Sequence, residues 1–462
     1  MSTRLNYANV AIAVGRVKPV DVASYLAALM LRNIATERYI FTDPRDPLNP
    51  DAFSRPGCVI ASPSFETGTG QVGQDYVFHW TRDAAITAIE LAAADRIDPQ
   101  TLRDYVDFSR TCQKAPGAAI NRAAYTIAGR PRENWTDQSD GPALRILAAL
   151  RSYPALDDQG QAVARDVIAA DADFLMGAYR QETFNLWEEA YGFSFFARAV
   201  QLRCLRELAG NPFGIESPQG ASSAIRELEQ ALSGHWDQDA GIYRTFGPGS
   251  SFALRRDDRQ GPVPSYDRQG SPAGYDPNID IVMAAIYGGV SITDPKLLAT
   301  AAAIRRQWTD PGASTVYPIN QSDSAQGLGP LLGRYPGDTY DGDIGGAELT
   351  IGHPWALCTA NYAELYYRLA TEVATTQAVP QDPMTGDFFA QVGIAPQTSP
   401  VDAAAALQAA GDRMLAALLF HSDDLELSEQ FDKTTGFEKS VRNLTWSYAA
   451  YLSAVRAATV NA

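Results

Sequence analysis

Apolar residues recur every three or four positions in about twelve stretches of the chain, which is the periodicity of helices that pack against a core. Some stretches, such as "LTWSYAAYLSAV" near the C-terminus, are apolar on nearly every side, so other helices must enclose them. Strand patterns are weak. We therefore predict helices near residues 21–34, 82–95, 101–115, 141–153, 161–178, 190–209, 219–233, 277–288, 295–308, 353–372, 401–419 and 443–457.

The connections between these helices alternate between short and long, and the long ones are rich in Gly, Pro, Asp, Tyr and Trp. Long structured loops in a compact protein usually carry function. The pattern favours an all-α (α/α)6 double barrel of six inner and six outer helices, with long active-site loops meeting on one side. A bundle or a solenoid is the alternative, although no repeat period supports a solenoid. Because no linker divides residues 1–462, we predict a single domain.

Composition and charge exclude several partners. The 462 residues carry a formal charge of −16, and no window is rich enough in Lys or Arg to track a nucleic acid. We expect no nucleic-acid or membrane partner and favour a neutral or cationic ligand, because the negative field repels phosphorylated substrates. No apolar run reaches the roughly 18 residues of a membrane span. The N-terminus is a weak signal peptide at best, which leaves a cytoplasmic protein or a processed secreted or periplasmic form.

Metal and cofactor motifs are absent from the sequence. Neither the four Cys nor the four His have metal-ligand spacing, and the pattern favours buried free thiols over a disulfide scaffold. Asp338, Asp341 and Asp343 invite a calcium site, but the segment lacks the ligand spacing and closing Glu of an EF-hand loop. We expect no metal and no organic cofactor.

Acidic and aromatic residues are concentrated in four loop segments. The stretch "NLWEEAYGFSFF" places Glu188 and Glu189 directly after Trp187. A single acid there could cap a helix, but two beside a large aromatic residue suggest a polar ligand that is both stacked and protonated. The other segments contribute Tyr76, Trp80, Arg82 and Asp83, then Arg334, Asp338 and Trp355, and finally Glu429 and Trp446.

Structural roles compete with these functional ones. Asp83 fits a helix N-cap, but a cap explains neither Arg82, which opposes the helix dipole, nor the neighbouring Trp80. Asp140 precedes Gly and Pro at a helix start, where the structural role is the stronger. Glu429 alone would be an ordinary surface carboxylate. In combination, flat aromatic faces and bidentate polar groups favour a carbohydrate site, and carboxylates on separate loops favour hydrolysis of a glycosidic bond.

Six motifs in order carry a family resemblance: "CVIASPS", "DYVFHWTRDAA", "GRP" with "DGPALR", "NLWEEAYGFSFF", "GRYPGDTY" with "PWALCT", and "EQFDKTTGFEKSVRNLTWSYAA". Over about residues 20–457 the chain resembles the glucoamylases of glycoside hydrolase family 15. The resemblance implies an (α/α)6 barrel and a glucan 1,4-α-glucosidase that acts from non-reducing ends, inverts the anomeric configuration and releases β-glucose. Inversion needs carboxylates roughly 6.5–9.5 Å apart, to leave room for water.

The resemblance also implies roles for individual residues. Glu188 matches the general acid and Glu429 the general base, while Glu189 matches a residue that binds the sugar on the leaving side. Arg82 and Asp83 match residues that hold the outer hydroxyls of the terminal glucose, and Arg334 and Asp338 contribute to the same pocket. The pocket walls are Tyr76, Trp80, Trp187 and Trp355. Trp446 matches a residue that supports the base.

The chain departs from the family pattern at several positions. Asn185 stands where fungal members usually have Asp. We expect the loss of this charge to alter the surroundings of the general acid, without a contact between Asn185 and the sugar. Gly337 replaces an acidic residue that is common in the family. The segment "RENWTDQS" is longer than in fungal enzymes. No starch-binding module follows residue 457, so soluble malto-oligosaccharides are expected as substrates of a monomer. Isomalto-oligosaccharides or trehalose remain alternative substrates, and a phosphorylase or a non-catalytic sugar-binding barrel are alternatives of another kind.

Overall fold

The computed structural model describes residues 18–43, 52–64, 76–94, 97–132, 135–254, 274–340 and 352–459. In these ranges each of the twelve predicted stretches contains an α-helix, and two short helices, Pro318–Ala325 and Gly386–Ala390, were not predicted. The helices are α1 (Ala23–Leu31), α2 (Thr81–Ala92), α3 (Pro99–Gln113), α4 (Asp140–Ser152), α5 (Asp158–Ala178), α6 (Phe195–Ala209), α7 (Ala221–Ser233), α8 (Asp280–Tyr287), α9 (Pro295–Thr309), α10 (Pro318–Ala325), α11 (Ala356–Thr376), α12 (Gly386–Ala390), α13 (Pro400–His421) and α14 (Thr445–Thr459).

The helices form two concentric rings. Each of α2, α4, α6, α8, α11 and α14 packs against the next one, and α14 closes the inner ring against α2. The helices α1, α5, α7, α9 and α13 pack outside α14, α4, α6, α8 and α11 respectively, and α3 fills the remaining outer position beside α5. Inner and outer helices therefore alternate along the chain, and the predicted (α/α)6 double barrel is confirmed.

Burial separates the two rings as the apolar patterns predict. The inner helix α4 buries every residue except Arg151. The outer helix α7 buries only Ala221, Ala224, Leu228 and Leu232, a stripe with helical spacing that faces the inner ring. The four cysteines are buried and unpaired, as predicted.

Helix α13 corrects one expectation from the sequence. With 22 residues it is long and apolar enough to cross a membrane by length and composition, although no continuous apolar run indicated this. Half of its apolar window is buried inside the protein. It packs against α11 as an outer helix of the barrel, which accounts for its apolar residues.

The strands of the described residues are short and antiparallel. They pair as β1 (His79–Trp80) with β2 (Ala124–Tyr125), β4 (Ala190–Gly192) with both β3 (Thr183–Phe184) and β7 (Ala253–Leu254), β5 (Trp236–Asp237) with β6 (Ile242–Tyr243), and β8 (Gln430–Phe431) with β9 (Glu438–Lys439). Strand β1 runs directly into α2, and β4 shortly precedes α6. A bridge joins Trp355, which precedes α11, to Gln430. The ladders thus fix the loops that enter the inner helices.

Charged side chains join the C-terminal halves of the inner helices, away from these loops. Arg456 on α14 pairs with Glu90 on α2, and Arg368 pairs with Glu364 within α11. Arg368 also donates to the carbonyl oxygen of Ile286 at the end of α8 (3.2 Å). These contacts link α14 to α2 and α11 to α8.

Candidate active site

The two adjacent acids lie in the turn between β3 and β4. Glu188 has a φ of 63°, in the left-handed region that non-glycine residues rarely adopt. Its N–H donates to the carbonyl oxygen of Asn185 (2.9 Å), and the side-chain oxygen of Asn185 accepts from the N–H of Glu189 (3.0 Å) and of the residue after it (3.1 Å). This local network holds the strained turn, and the two carboxyl groups face different arginines.

Glu188 faces Arg82. The Glu188 side chain is buried, and its Oε1 lies 3.5 Å from Nη2 of Arg82. Among the described residues, no donor completes a hydrogen bond to this oxygen. Arg82 is thus the charged neighbour of a Glu188 oxygen that has no hydrogen bond among the described residues.

Arg82 faces more carboxyl groups than one guanidinium can pair with. Its guanidinium lies 3.2 Å from Asp83, 3.5 Å from Glu188 and 3.8 Å from Asp140, and it stacks 5.0 Å above the Trp446 ring. Burial raises the pKa of Asp83 to about 7, and Glu188 and Asp140 add to the increase while Arg82 opposes it. One guanidinium thus faces three carboxyl groups in a buried site.

The structural roles considered for the two aspartates are only partly correct. The helix α2 begins at Thr81 with Trp80 as its N-cap, so Asp83 lies within the first turn and the N-cap hypothesis is wrong. Asp140 accepts from the N–H of Gly141 (2.8 Å) at the start of α4, as its structural role requires. The other oxygen of Asp140 faces Arg82 and so belongs to the site as well.

We expect three buried carboxyl groups to contribute stability that is lost as the pH rises from about 4 to about 7, and to outweigh His79 and His235, whose pKa burial lowers to about 3 and which act in the opposite direction. Burial raises the pKa of Asp83 and of Glu438 to about 7 and that of Glu90 to about 6. The folded state therefore binds protons more tightly than the unfolded chain, whose carboxyls titrate near pH 4, so each ionisation lowers the free energy of unfolding. Calorimetry should give a higher unfolding midpoint at about pH 5 than at about pH 7.5. Glu438→Gln should narrow this difference, and a higher midpoint at the higher pH contradicts the prediction.

Glu189 faces the second arginine of the site. Arg334 binds Asp338 through two hydrogen bonds (2.8 and 2.6 Å) and contacts Oε1 of Glu189 at 2.8 Å. The other oxygen of Glu189 accepts from the hydroxyls of Tyr335 (2.7 Å) and Tyr275 (2.9 Å). Burial raises the pKa of Glu189, and Arg334 and the two hydroxyls oppose the increase. Glu189 is therefore a fully hydrogen-bonded carboxylate.

Glu429 lies directly before β8, beside the start of α11, where its carbonyl oxygen accepts from the N–H of Ala356 (3.1 Å). Its carboxyl group accepts hydrogen bonds from the hydroxyls of Tyr76 (2.9 Å), Tyr340 (3.1 Å) and Ser440. Burial raises the pKa of Glu429, and these hydrogen bonds oppose the increase by stabilising the carboxylate. Glu429 thus differs from Glu188, which lacks such donors.

Aromatic rings connect these clusters. Trp187 lies 5.7 Å from Trp355 and 6.5 Å from Trp446, and Tyr76 lies 5.6 Å from Trp80. The Arg334 guanidinium stacks on the rings of Trp187 and Trp355 at 5.2 and 4.9 Å. Together with the polar contacts, these rings bring every predicted site residue into one connected group.

Several side chains of this group were not predicted as site residues. Tyr340 and Ser440 bind Glu429, Tyr275 and Tyr335 bind Glu189, and Asn278 accepts from the indole N–H of Trp187 (3.1 Å). Tyr335 and Tyr340 lie inside the "GRYPGDTY" motif, so their position in the sequence was a usable signal. Ser440 likewise lies inside the motif that begins at Glu429, whereas Tyr275 and Asn278 carry no such signal.

Metal ligands are not clustered in the part of the chain that the structure describes: it holds no group of three or more His, Cys, Asp or Glu side chains suited to a metal ion. Of the residues considered for calcium, Asp338 binds Arg334. Asp341 and Asp343 lie outside the described residues.

The chemistry of this group suits a sugar. The C–H faces of a sugar stack on aromatic rings, and its hydroxyls need convergent donors and acceptors such as Arg82 with Asp83. Two buried carboxyl groups from separate loops, in contrasting environments, are what cleavage of a glycosidic bond requires. The fold and site define a glycosidase built on a helical double barrel.

Comparison with protein families gives the same class. The model of the family Glycosyl hydrolases family 15 matches residues 51–456, and the chain belongs to this family. The protein is thus a glycoside hydrolase, as its motifs predicted.

The similar proteins are glucoamylases. A probable glucoamylase of Schizosaccharomyces pombe is 27% identical over 427 residues, which cover 87% of this chain and 84% of that protein. A glucoamylase of Saccharomycopsis fibuligera is 28% identical over 510 residues, 95% of this chain and 89% of that protein. The solved structure of a Saccharomycopsis fibuligera glucoamylase superposes with a TM-score of 0.73 at 22% identity, covering 96% of this chain and 94% of that one, which supports the fold.

Proposed function

We propose that the protein is an inverting, exo-acting α-glucosidase that releases β-glucose from the non-reducing ends of α-1,4-linked glucans and malto-oligosaccharides. The observation that supports this most directly is the contrast between its two carboxyl groups. Glu429 accepts three hydroxyl hydrogen bonds, whereas Glu188 Oε1 accepts none from the described residues. The family and its glucoamylase relatives support the glucan substrate.

In this proposal Glu188 is the general acid and Glu429 the general base. The proton of Glu188 passes to the glycosidic oxygen as the bond to the anomeric carbon breaks, and Glu429 takes a proton from the water that attacks the opposite face. Hydrogen bonds from Tyr76 and Tyr340 favour the ionised form of Glu429 and fix its orientation.

The arginine clusters supply the sugar contacts. Arg82 and Asp83 lie beside the proposed acid and would bind the outer hydroxyls of the terminal glucose, which closes the pocket and makes the action exo. Arg334 places Glu189 for the leaving-side sugar. Trp187 and Trp355 would form the walls, with Trp446 behind them. We propose that this site belongs to a single-domain monomer.

The anomer released from each substrate tests this function. Purified protein is mixed with maltotriose, isomaltose or trehalose, and the first product is followed by proton NMR. We expect β-glucose first, and fastest from maltotriose. A preference for isomaltose or trehalose would keep the mechanism and change the substrate, whereas α-glucose as the first product would contradict the role of Glu429 as the base.

A further inference from the structure

We propose that Tyr275 and Asn185 act as a matched pair that positions Glu189, and that Tyr275 is thereby a positioning residue for substrates with a sugar on the leaving side. The proposal rests on the proposed function, in which Glu189 binds that sugar. It concerns the contacts of Tyr275, a residue outside every quoted motif, with Asn185 and Glu189.

A directed chain of hydrogen bonds joins the three residues. The side-chain nitrogen of Asn185 donates to the hydroxyl of Tyr275 (2.5 Å), which donates to Oε2 of Glu189 (2.9 Å). The orientation of the Asn185 amide is fixed, because its oxygen accepts from two backbone N–H groups of the turn. The amide nitrogen must therefore face Tyr275, and the single hydroxyl proton of Tyr275 is directed to Glu189.

The same pair holds Glu189 at two points. Asn185 accepts from the backbone N–H of Glu189 (3.0 Å), and Tyr275 donates to its carboxylate. Tyr275 is itself immobilised, because it is 2% exposed and stacks on Tyr335 with ring centroids 4.2 Å apart. Burial raises the pKa of Tyr275 well above 10, so its hydroxyl keeps the proton. Glu189 is thus oriented before a substrate binds, which is how positioned groups contribute to rate.

This arrangement requires an asparagine at the position of Asn185. An ionised aspartate in place of Asn185 could still accept from the turn, but it could not donate to Tyr275. Two carboxylates, that of the aspartate and that of Glu189, would then compete for one hydroxyl proton in a buried site. The departure of Asn185 from the usual aspartate is therefore explained by the presence of Tyr275.

Substrates with and without a leaving sugar test the role of Tyr275. Maltose places a glucose on the leaving side, whereas α-glucosyl fluoride carries the same reacting glucose with only fluoride. We expect Tyr275→Phe to lower kcat/KM for maltose by about tenfold or more, the effect of losing a hydrogen bond to a charged group. Activity on α-glucosyl fluoride should change less than about twofold, a small fraction of the same interaction.

Tyr362→Phe is the matched control, because it removes a buried tyrosine hydroxyl that donates to the carbonyl oxygen of Ala301 (2.8 Å), away from the site. It should leave both activities unchanged. An equal loss on both substrates in Tyr275→Phe would overturn the proposal and show a general structural role. If the unmodified enzyme cleaves neither substrate, the proposed function fails instead, so the two failures are distinguishable.

A double-mutant cycle tests the pairing. Asn185→Asp should lose maltose activity increasingly as the pH rises and the introduced carboxyl group ionises. The combined loss in Asn185→Asp with Tyr275→Phe should be smaller than the product of the single losses, because both changes act on one hydrogen-bond chain. Multiplicative losses would overturn the pairing of the two residues.

Discussion

Glu429→Gln should abolish hydrolysis of both maltose and α-glucosyl fluoride, whereas Glu188→Gln should abolish hydrolysis of maltose alone. Fluoride leaves without being protonated, so its departure needs no general acid, but the attacking water still needs a base. Each loss should be about 10²–10⁴-fold, the usual contribution of a positioned acid or base. Initial rates of glucose release from the two substrates measure the effect.

Two controls isolate the chemistry. Glu216→Gln makes the same substitution at an exposed position outside the site and should change neither rate. Calorimetry should show that both site variants still bind maltose, because Gln keeps the shape of Glu. Full activity of Glu188→Gln on maltose would remove Glu188 from its role, and activity of Glu429→Gln on the fluoride would remove Glu429.

The helices could be predicted because their signal is local. Apolar periodicity specifies which face of each segment is buried, and all twelve predicted stretches contain helices of the barrel. The missed helix α12 has only five residues, too few turns to show a period, and α10 is mostly polar, with Ile319 as its only buried apolar residue. The predicted start of α2 near residue 82 lies one residue from the observed start at Thr81, but the N-cap hypothesis for Asp83 was wrong because the ladder between β1 and β2 ends at Trp80 and sets the start.

The site could be predicted only as far as its motifs reach. Glu188, Arg334 and Glu429 lie in motifs with several informative residues. Tyr275 lies 86 residues from Glu189, and a lone tyrosine gives no sign of its partner. Ser440 reaches Glu429 only because β8 and β9 pair and return the chain to the carboxyl group. Contacts of this kind are products of the tertiary fold, which local patterns do not encode.

Arg82→Met should destabilise the protein strongly, with a strong dependence on pH. The guanidinium lies within 4 Å of Asp83, Glu188 and Asp140, at 3.2, 3.5 and 3.8 Å. Without it, three buried carboxyl groups lose their only close cation among the described residues. Removing one partner of a buried pair costs about 3–5 kcal/mol. The loss should be largest near pH 7.5 and should shrink at about pH 5, because Asp83, whose pKa burial raises to about 7, becomes protonated.

Arg145→Met supplies the comparison, because Arg145 is equally buried but pairs with one carboxylate, Asp171, through two hydrogen bonds. Urea unfolding at the two pH values should show a steeper pH dependence for Arg82→Met than for Arg145→Met. Adding Asp140→Asn to Arg82→Met should restore part of the stability near pH 7.5 without restoring hydrolysis, since the proposed sugar contact of Arg82 stays absent. The same pH dependence in both arginine variants would mean that the three carboxyl groups do not share the charge of Arg82.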